Sequence, residues 1–253
     1  MKINTAKRLL LDGKPAIGAS AVLGSPSATE MLSRAGFDWI IVDCQHGDWE
    51  DDRALQAFRA ISLGSAMPMA RVRQNDYAAI GRLLDRGALG IIIPMVNNAA
   101  EARAAVFAAR YPPKGGRSWG AFLAGYHGSD YGDWADKEIW LAVQIETVEG
   151  VEDAEAILGV DGIDGCWIGP KDLARSMGVD INTPDGRQAH EDAILKVLAA
   201  CRKTGKIPGI DGKAGGGVER WLKHGFQFVT STSDADLVLG GGKAIVEQLK
   251  RPA

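Results

Sequence analysis

The sequence lacks long apolar runs and an excess of charge of either sign. Its 253 residues carry a net charge of -3, a balance that gives no reason to expect nucleic acid or an anionic membrane as partner. No apolar segment approaches the roughly 20 residues that span a bilayer. The apolar residues near the amino end stop at Asp12 and Gly13 without forming a secretory signal. These absences predict a cytoplasmic protein.

Cysteine is also scarce, with only Cys44, Cys166 and Cys201. Their odd number, and a spacing that fits no metal motif, predict buried thiols in a reducing compartment. A catalytic cysteine is less favoured, because two of the three lie inside apolar, strand-like runs.

The sequence does contain a regular alternation of strand-like runs and stretches with helical periodicity, which predicts parallel strands in βαβ units. Eight such units in about 250 residues match the usual size of a (β/α)8 barrel. The alternative, an open doubly wound sheet, usually has fewer strands and a GxGxxG turn, which is missing after the first strand at Gly24. The eight runs are Ala16–Leu23, Asp38–Cys44, Pro68–Val72, Gly90–Val96, Trp140–Thr147, Gly165–Gly169, Lys206–Ile210 and Phe226–Thr232.

We therefore predict one barrel domain over residues 1–253. Its clearest helices are expected at Asp51–Leu63, Tyr77–Gly87, Ala99–Arg110, Glu149–Leu158, His190–Thr204 and Ala235–Leu249. The longest irregular stretch, Tyr111–Glu138, is expected to cover the barrel mouth or to contact another subunit.

Two acidic residues, Glu146 and Asp172, follow neighbouring strands of the predicted barrel. Carboxylates at strand ends lie on the rim where barrel enzymes build their sites. Strand alternation places Gln144 on the same inward face as Glu146. We favour a metal site here over a polar plug of the barrel interior. Hard oxygen ligands, without a His-Cys cluster, indicate Mg²⁺ or Mn²⁺.

Two further strand ends and one helix end carry groups suited to acid–base or anion chemistry. His46 can act as a general base near neutral pH, or merely cap the next segment. Arg71 and Arg73 share parity, so periodicity does not decide which one faces the mouth, where a guanidinium can stabilise an oxyanion. Asp85, near a helix end, is interpreted from the residues alone as a surface acid. The remaining histidines, His127, His190 and His224, are expected in a loop or on helix surfaces.

These residues resemble the HpcH/HpaI aldolase family of class II, metal-dependent pyruvate aldolases over nearly the whole chain. The resemblance rests on Val42-Asp43-x-x-His46-Gly47, Pro68-x-x-Arg71, Leu84-Asp85-x-Gly87, Ile93-Pro94-Met95-Val96, Arg110-Tyr111-Pro112-Pro113, Val143-Gln144-x-Glu146 and Ile168-Gly169-Pro170-x-Asp172-Leu173.

The resemblance implies a (β/α)8 barrel that assembles as a hexamer, a trimer of dimers that exchange the last helix. It implies reversible cleavage of a 4-hydroxy-2-oxo acid to pyruvate or hydroxypyruvate and an aldehyde, through a metal-stabilised enolate. Mg²⁺ or Mn²⁺ is the expected metal, with Co²⁺ or Zn²⁺ as further options.

The resemblance also implies a role for each site residue. Glu146 and Asp172 would bind the metal, and Gln144 would contact the substrate. The backbone of Lys171 and Asp172 would hold the donor carboxylate, and Arg71 rather than Arg73 would stabilise the enolate. His46 would be the base, with Asp85, and also Asp43, raising its basicity. This role replaces the surface interpretation of Asp85.

The chain departs from the family pattern at the pocket. Gln45 stands where many relatives have Glu, Lys171 where a small residue is common, and the end of strand seven, Gly209–Lys213, where a bulkier hydrophobic residue often faces the substrate. The acceptor aldehyde is therefore left open. Two alternatives are a citrate-lyase-β-like or malyl-CoA-type lyase, and a Schiff-base aldolase using Lys213 or Lys171.

Overall fold

The computed structural model describes residues 2–213 and 216–250, and its centre is a closed barrel of eight parallel strands in sequence order. The last strand pairs with the first through Ala16 and Phe228, which closes the sheet. The predicted (β/α)8 barrel is confirmed. The strands are β1 (Ala16–Ala21), β2 (Trp39–Asp43), β3 (Met67–Arg71), β4 (Gly90–Ile93), β5 (Trp140–Ile145), β6 (Gly165–Ile168), β7 (Gly209–Asp211) and β8 (Phe228–Ser233).

Twelve α-helices connect and surround these strands within the described residues, and a 3₁₀ helix spans Ala121–His127. Several begin at a side chain that accepts a hydrogen bond from the first helical turn, as Asp76 does from Ala79. They are α1 (Thr5–Leu11), α2 (Pro26–Arg34), α3 (Asp51–Ile61), α4 (Tyr77–Asp85), α5 (Ala99–Ala109), α6 (Tyr131–Glu138), α7 (Val148–Glu152), α8 (Ala154–Leu158), α9 (Pro170–Met177), α10 (Pro184–Thr204), α11 (Val218–His224) and α12 (Asp234–Lys250).

Aromatic side chains fill the lower barrel interior. The ring of Trp39 stacks on Phe228 with centroids 4.2 Å apart, and Trp140 lies 5.3 Å from the same ring. Gly18 leaves the space that the Trp39 ring occupies, since a Cβ at Gly18 would collide with that ring. This packing closes the amino end of the barrel, so that a ligand reaches the interior from the carboxyl ends of the strands.

Two of the predicted helices differ from those observed. The expected helix over Glu149–Leu158 is divided into α7 and α8 at Asp153, and α10 begins at Pro184 instead of His190. The helix-surface position expected for His190 is wrong, and His127, expected in a loop, lies in the 3₁₀ helix. Both are buried, with Nε2 2.8 Å from Gly87 O and 2.7 Å from Pro170 O, respectively.

The stretch Tyr111–Glu138 is not irregular throughout, since it contains the 3₁₀ helix and α6. Within one chain it packs along α4 and the amino end of β4, where His127 bonds to Gly87 and Arg117 bonds to Asp85. The expectation that it covers the mouth is therefore wrong for the single chain. Two of its aromatic side chains, Trp119 and Phe122, are largely exposed.

The last helix, α12, packs on the barrel only near its start, and Asp234 is its only side chain recorded as buried. Its exposed apolar residues include Leu237, Val238, Leu239, Ile245, Val246 and Leu249. Within the described residues, no helix is both long and apolar enough to cross a membrane.

The three cysteines are free and buried, as expected. Burial raises the pKa of the Cys44 thiol to about 12, so this thiol is poorly suited to act as a nucleophile.

Candidate active site

A cavity of about 190 Å³ opens at the carboxyl ends of the strands. It collects side chains that lie far apart in sequence, because all eight parallel strands end at this face. The structure thereby brings together six of the residues selected from sequence and adds others. The cavity is lined by Asp43, His46, Arg71, Gln144, Lys171 and Asp172, with Ser20, Val22, Trp167, Gly169, Pro170, Asp211 and Lys213.

Glu146 lies at the inner edge of this cavity, just after β5. Its Oε1 accepts a hydrogen bond from Met95 N at 3.0 Å, and its Oε2 accepts one from Gln144 Nε2. Burial, with a smaller contribution from repulsion by Asp172, raises the pKa of Glu146 to about 7. The side-chain oxygen of Gln144, Oε1, is buried and has no hydrogen-bond partner among the described residues. The raised pKa of Glu146 and the unpartnered oxygen of Gln144 both show that the chain alone does not fully offset the cost of burying these polar groups.

Met95 holds Glu146 from an unusual backbone conformation. Its φ is +57°, the only positive φ of a non-glycine residue among the described residues. Such a conformation costs about 1 kcal/mol or more and tends to persist where the surroundings fix it. The sequence pattern around Pro94 suggested no such role for Met95.

Asp172 lies in the first turn of α9, which starts at Pro170, immediately after Gly169. A Cβ at Gly169 would collide with Oε2 of Glu146, so a larger residue at this position would displace the Glu146 carboxylate. The first-turn N–H groups of Lys171 and Asp172 have no acceptor within their own helix, which suits them to bind an anion. The side chain of Lys171 is exposed.

Arg71 enters the mouth from the end of β3. Its guanidinium binds both carboxylate oxygens of Asp43, with Nε 2.9 Å from Oδ1 and Nη2 2.5 Å from Oδ2. It also lies 5.3 Å from the ring centroid of Trp167. The structure separates the two arginines that periodicity left equivalent, since Arg73 is 52% exposed at its side chain and pairs with Glu50 outside the cavity.

His46 lies on the exposed rim of the cavity. Asp43 Oδ1 accepts a hydrogen bond from the backbone N of His46 at 3.2 Å, so the recorded contact shapes the loop and does not involve the imidazole.

Asp85 lies elsewhere in the single chain. It ends α4, near the amino end of the barrel, and pairs with Arg117 at 2.7 Å. One chain alone therefore does not bring Asp85 to His46, and the proposed pairing of these two residues stays a prediction.

Two cavity residues, Trp167 and Asp211, were given no individual role by the sequence analysis, although Asp211 lies in the departing stretch Gly209–Lys213. Trp167 pairs in register with Gln144, and its Nε1 donates to Thr230 Oγ1 at 3.0 Å. Strand alternation could have found Trp167, since it is two residues after the inward-facing Gly165. Asp211 ends the short β7, whose three residues are too few to show a period.

The residues at the mouth fit a divalent cation. No group of three or more His, Cys, Asp or Glu side chains is arranged to hold a metal within residues 2–213 and 216–250. The donor set is instead two carboxylates, Glu146 and Asp172, with the unpartnered oxygen of Gln144 close by. A cation would relieve the repulsion between these carboxylates, and its remaining positions would stay open to oxygen atoms of a substrate.

Comparisons with known proteins agree with this geometry. The family model for HpcH/HpaI aldolase/citrate lyase matches residues 21–239. A 4-hydroxy-2-oxo-heptane-1,7-dioate aldolase from Salmonella dublin is 39% identical over 248 residues, which cover 96% of this chain and 93% of that protein.

Solved structures share the architecture as well. A HpcH/HpaI aldolase/citrate lyase family protein from Burkholderia cenocepacia J2315 superimposes with a TM-score of 0.88 and 30% identity, covering 98% of this chain and 100% of that one. A citrate lyase beta subunit from M. tuberculosis, solved with oxaloacetate and magnesium, has a TM-score of 0.59 and 17% identity, covering 96% of this chain and 100% of that one, and shares the fold. The chain belongs to the HpcH/HpaI aldolase/citrate lyase family.

Proposed function

We propose that this protein is a class II aldolase that reversibly cleaves a 4-hydroxy-2-oxo acid to pyruvate, or hydroxypyruvate, and an aldehyde. The observation that carries the proposal is the pair of carboxylates at the mouth, Glu146 and Asp172, next to the Arg71 guanidinium. The name of the 39% identical relative supports the same reaction. We assign the whole chain to one catalytic domain.

The donor half of the site would bind the 2-oxo acid. Glu146 and Asp172 would hold a divalent metal, Mg²⁺ or Mn²⁺, which when bound supplies Lewis acidity towards the carboxylate and keto oxygens of the substrate. The backbone N–H groups of Lys171 and Asp172 would bind the carboxylate, and Gln144 would orient it.

Arg71 would stabilise the negative charge that develops on the keto oxygen as the enolate forms. Asp43 fixes both ends of the guanidinium fork through two hydrogen bonds, so Arg71 is already oriented before substrate arrives. His46 would remove the proton of the 4-hydroxyl group in the cleavage direction and return it during aldol addition.

A Schiff-base mechanism has less support. Lys213 Nζ lies 3.1 Å from Asp236 Oδ2, an ion pair that stabilises the ammonium form over the free amine a nucleophile requires. We also propose that the protein forms a homo-oligomer, a hexamer built as a trimer of dimers, because the apolar residues of α12 are exposed in the single chain.

The proposal is tested by deuterium exchange into the methyl group of pyruvate, followed by NMR. The protein should catalyse exchange with added Mg²⁺ or Mn²⁺, and EDTA should stop it. Borohydride with pyruvate should leave the protein active. Irreversible inactivation by borohydride together with resistance to EDTA would instead support a lysine nucleophile.

A further inference from the structure

Asp211 places a third uncommitted carboxylate in the mouth, at the end of β7. Within residues 2–213 and 216–250, its one hydrogen-bond donor is the backbone N of Lys213, 3.3 Å from Oδ1. Burial raises the pKa of this carboxyl, and the charges of Lys213 and Lys171 oppose the shift. A partly buried carboxylate with so few donors has acceptor capacity left for a ligand.

The backbone holds Asp211 rigidly. Asp211 pairs in register with Thr230 of β8, and the next residue, Gly212, donates its N–H to Thr230 O at 2.9 Å. A Cβ at Gly212 would lie 2.6 Å from Val229 Cγ1, so this turn is closely packed. A side chain on such a support can select a ligand by geometry.

Neither neighbouring lysine forms an ion pair with Asp211 among the residues that the structure describes. Lys213 directs its ammonium to Asp236, at 3.1 Å. Lys171 is exposed at the mouth, and no acceptor for its ammonium group is recorded among the residues that the structure describes. The β6–β7 side of the mouth therefore offers a hydrogen-bond acceptor, Asp211, and a donor, Lys171.

This combination fits a hydroxyl group better than a second carboxylate. A hydroxyl both donates and accepts, so it can bind Asp211 and Lys171 together, whereas a carboxylate only accepts and is repelled by Asp211. The cavity of about 190 Å³ lies below the usual range for ligand pockets, about 300–1,000 Å³, which favours a small molecule.

We propose that Asp211 determines acceptor specificity by accepting a hydrogen bond from a hydroxyl of a small, uncharged hydroxyaldehyde. The inference rests on the proposed aldolase function, with Glu146, Asp172 and Arg71 assigned to the 2-oxo acid and the β7 side to the aldehyde.

The test compares three two-carbon acceptors, glycolaldehyde, acetaldehyde and glyoxylate, with pyruvate as donor and Mg²⁺ present. Wild type should prefer glycolaldehyde to both others in kcat/KM. Asp211→Leu should lower the ratio of glycolaldehyde to acetaldehyde at least about tenfold, the usual order for a lost hydrogen bond to a charged group. Because the ratio is measured within one preparation, partial loss of folded or metal-loaded protein cancels.

Asp161→Asn is the matched control, since Asp161 is an exposed carboxylate before β6, at the opposite end of the barrel. It should keep the wild-type ratio. An unchanged ratio in Asp211→Leu, or a wild-type preference for glyoxylate, would overturn the subsite while leaving the aldolase in place. A wild type that exchanges no pyruvate protons would overturn the aldolase and the subsite together.

Discussion

At the amino end of the barrel, Asp164 accepts from both Lys7 Nζ, at 2.9 Å, and Arg110 Nη2, at 2.8 Å. At the mouth, no ion pair with Glu146 is recorded among the described residues, and Gln144 Oε1 has no partner. The paired charges at the amino end serve the fold, whereas Glu146 and Gln144 at the mouth are left incompletely paired and are free to bind what the chain lacks. Removing the first kind should lower stability, and removing the second should lower activity.

The largest effect is expected at the amino end. Asp164→Ala leaves the buried Lys7 and Arg110 without their shared carboxylate, which should lower the free energy of unfolding by about 4 kcal/mol. Urea unfolding measures this, and the exposed Asp161→Ala should change it by less than about 0.5 kcal/mol. Equal stability of the two variants would remove the contrast between the two ends.

Arg71→Ala should lower kcat for aldol cleavage by about 10²–10³-fold, or about 3–4 kcal/mol, because it removes a donor to the developing oxyanion. Arg73→Ala is the matched control on the same strand end and should keep kcat near the wild-type value. Similar losses of kcat in both variants would mean that Arg71 acts only through its positive charge and not through its position beside the substrate oxygen.

Acid should weaken the fold through His127. Burial lowers its pKa to about 4, and the hydrogen bond from Nε2 to Gly87 O only partly opposes this shift. Nδ1 is buried without a partner. A folded-state pKa below the ordinary 6.5 stabilises the protein above pH 6.5. Up to about 3 kcal/mol of that stability should be lost as pH falls from 6.5 to 4.

This dependence is measured by urea unfolding between pH 7.5 and 4.5. His127→Gln has no titrating group, so the difference between it and wild type should shrink steadily as pH falls. A difference that is constant with pH would show that the buried imidazole does not govern the acid response.

The smallest effect is expected at Trp167, whose ring lies against the Arg71 guanidinium. Trp167→Leu should lower kcat about tenfold, or about 1.4 kcal/mol, with little change in KM, because Arg71 loses the surface that orients it. Trp167→Phe keeps an aromatic face and should restore most of kcat. A change confined to KM would instead indicate a role in substrate binding.

The sequence predicted the part of the molecule that follows from periodicity. Eight strands, their order and the inward phase of Gln144 all depend on local patterns of apolar residues. The location of Asp85 did not follow, because its partner Arg117 lies in the long stretch after α5, which shows no period. No individual role was predicted for Asp211 or for the left-handed Met95, because the three residues of β7 are too few to show a period and no sequence pattern marks the positive φ of Met95.

The most direct test measures Mg²⁺-dependent deuterium exchange into the pyruvate methyl group for Glu146→Gln and Glu138→Gln. Both substitutions neutralise a buried glutamate, but Glu138 at the amino end bonds to Asn4 N at 2.8 Å and pairs with Arg8. Exchange should be lost in Glu146→Gln and retained in Glu138→Gln at temperatures where that variant is folded. Exchange at the wild-type rate in Glu146→Gln would contradict the assignment of the mouth carboxylates to catalysis.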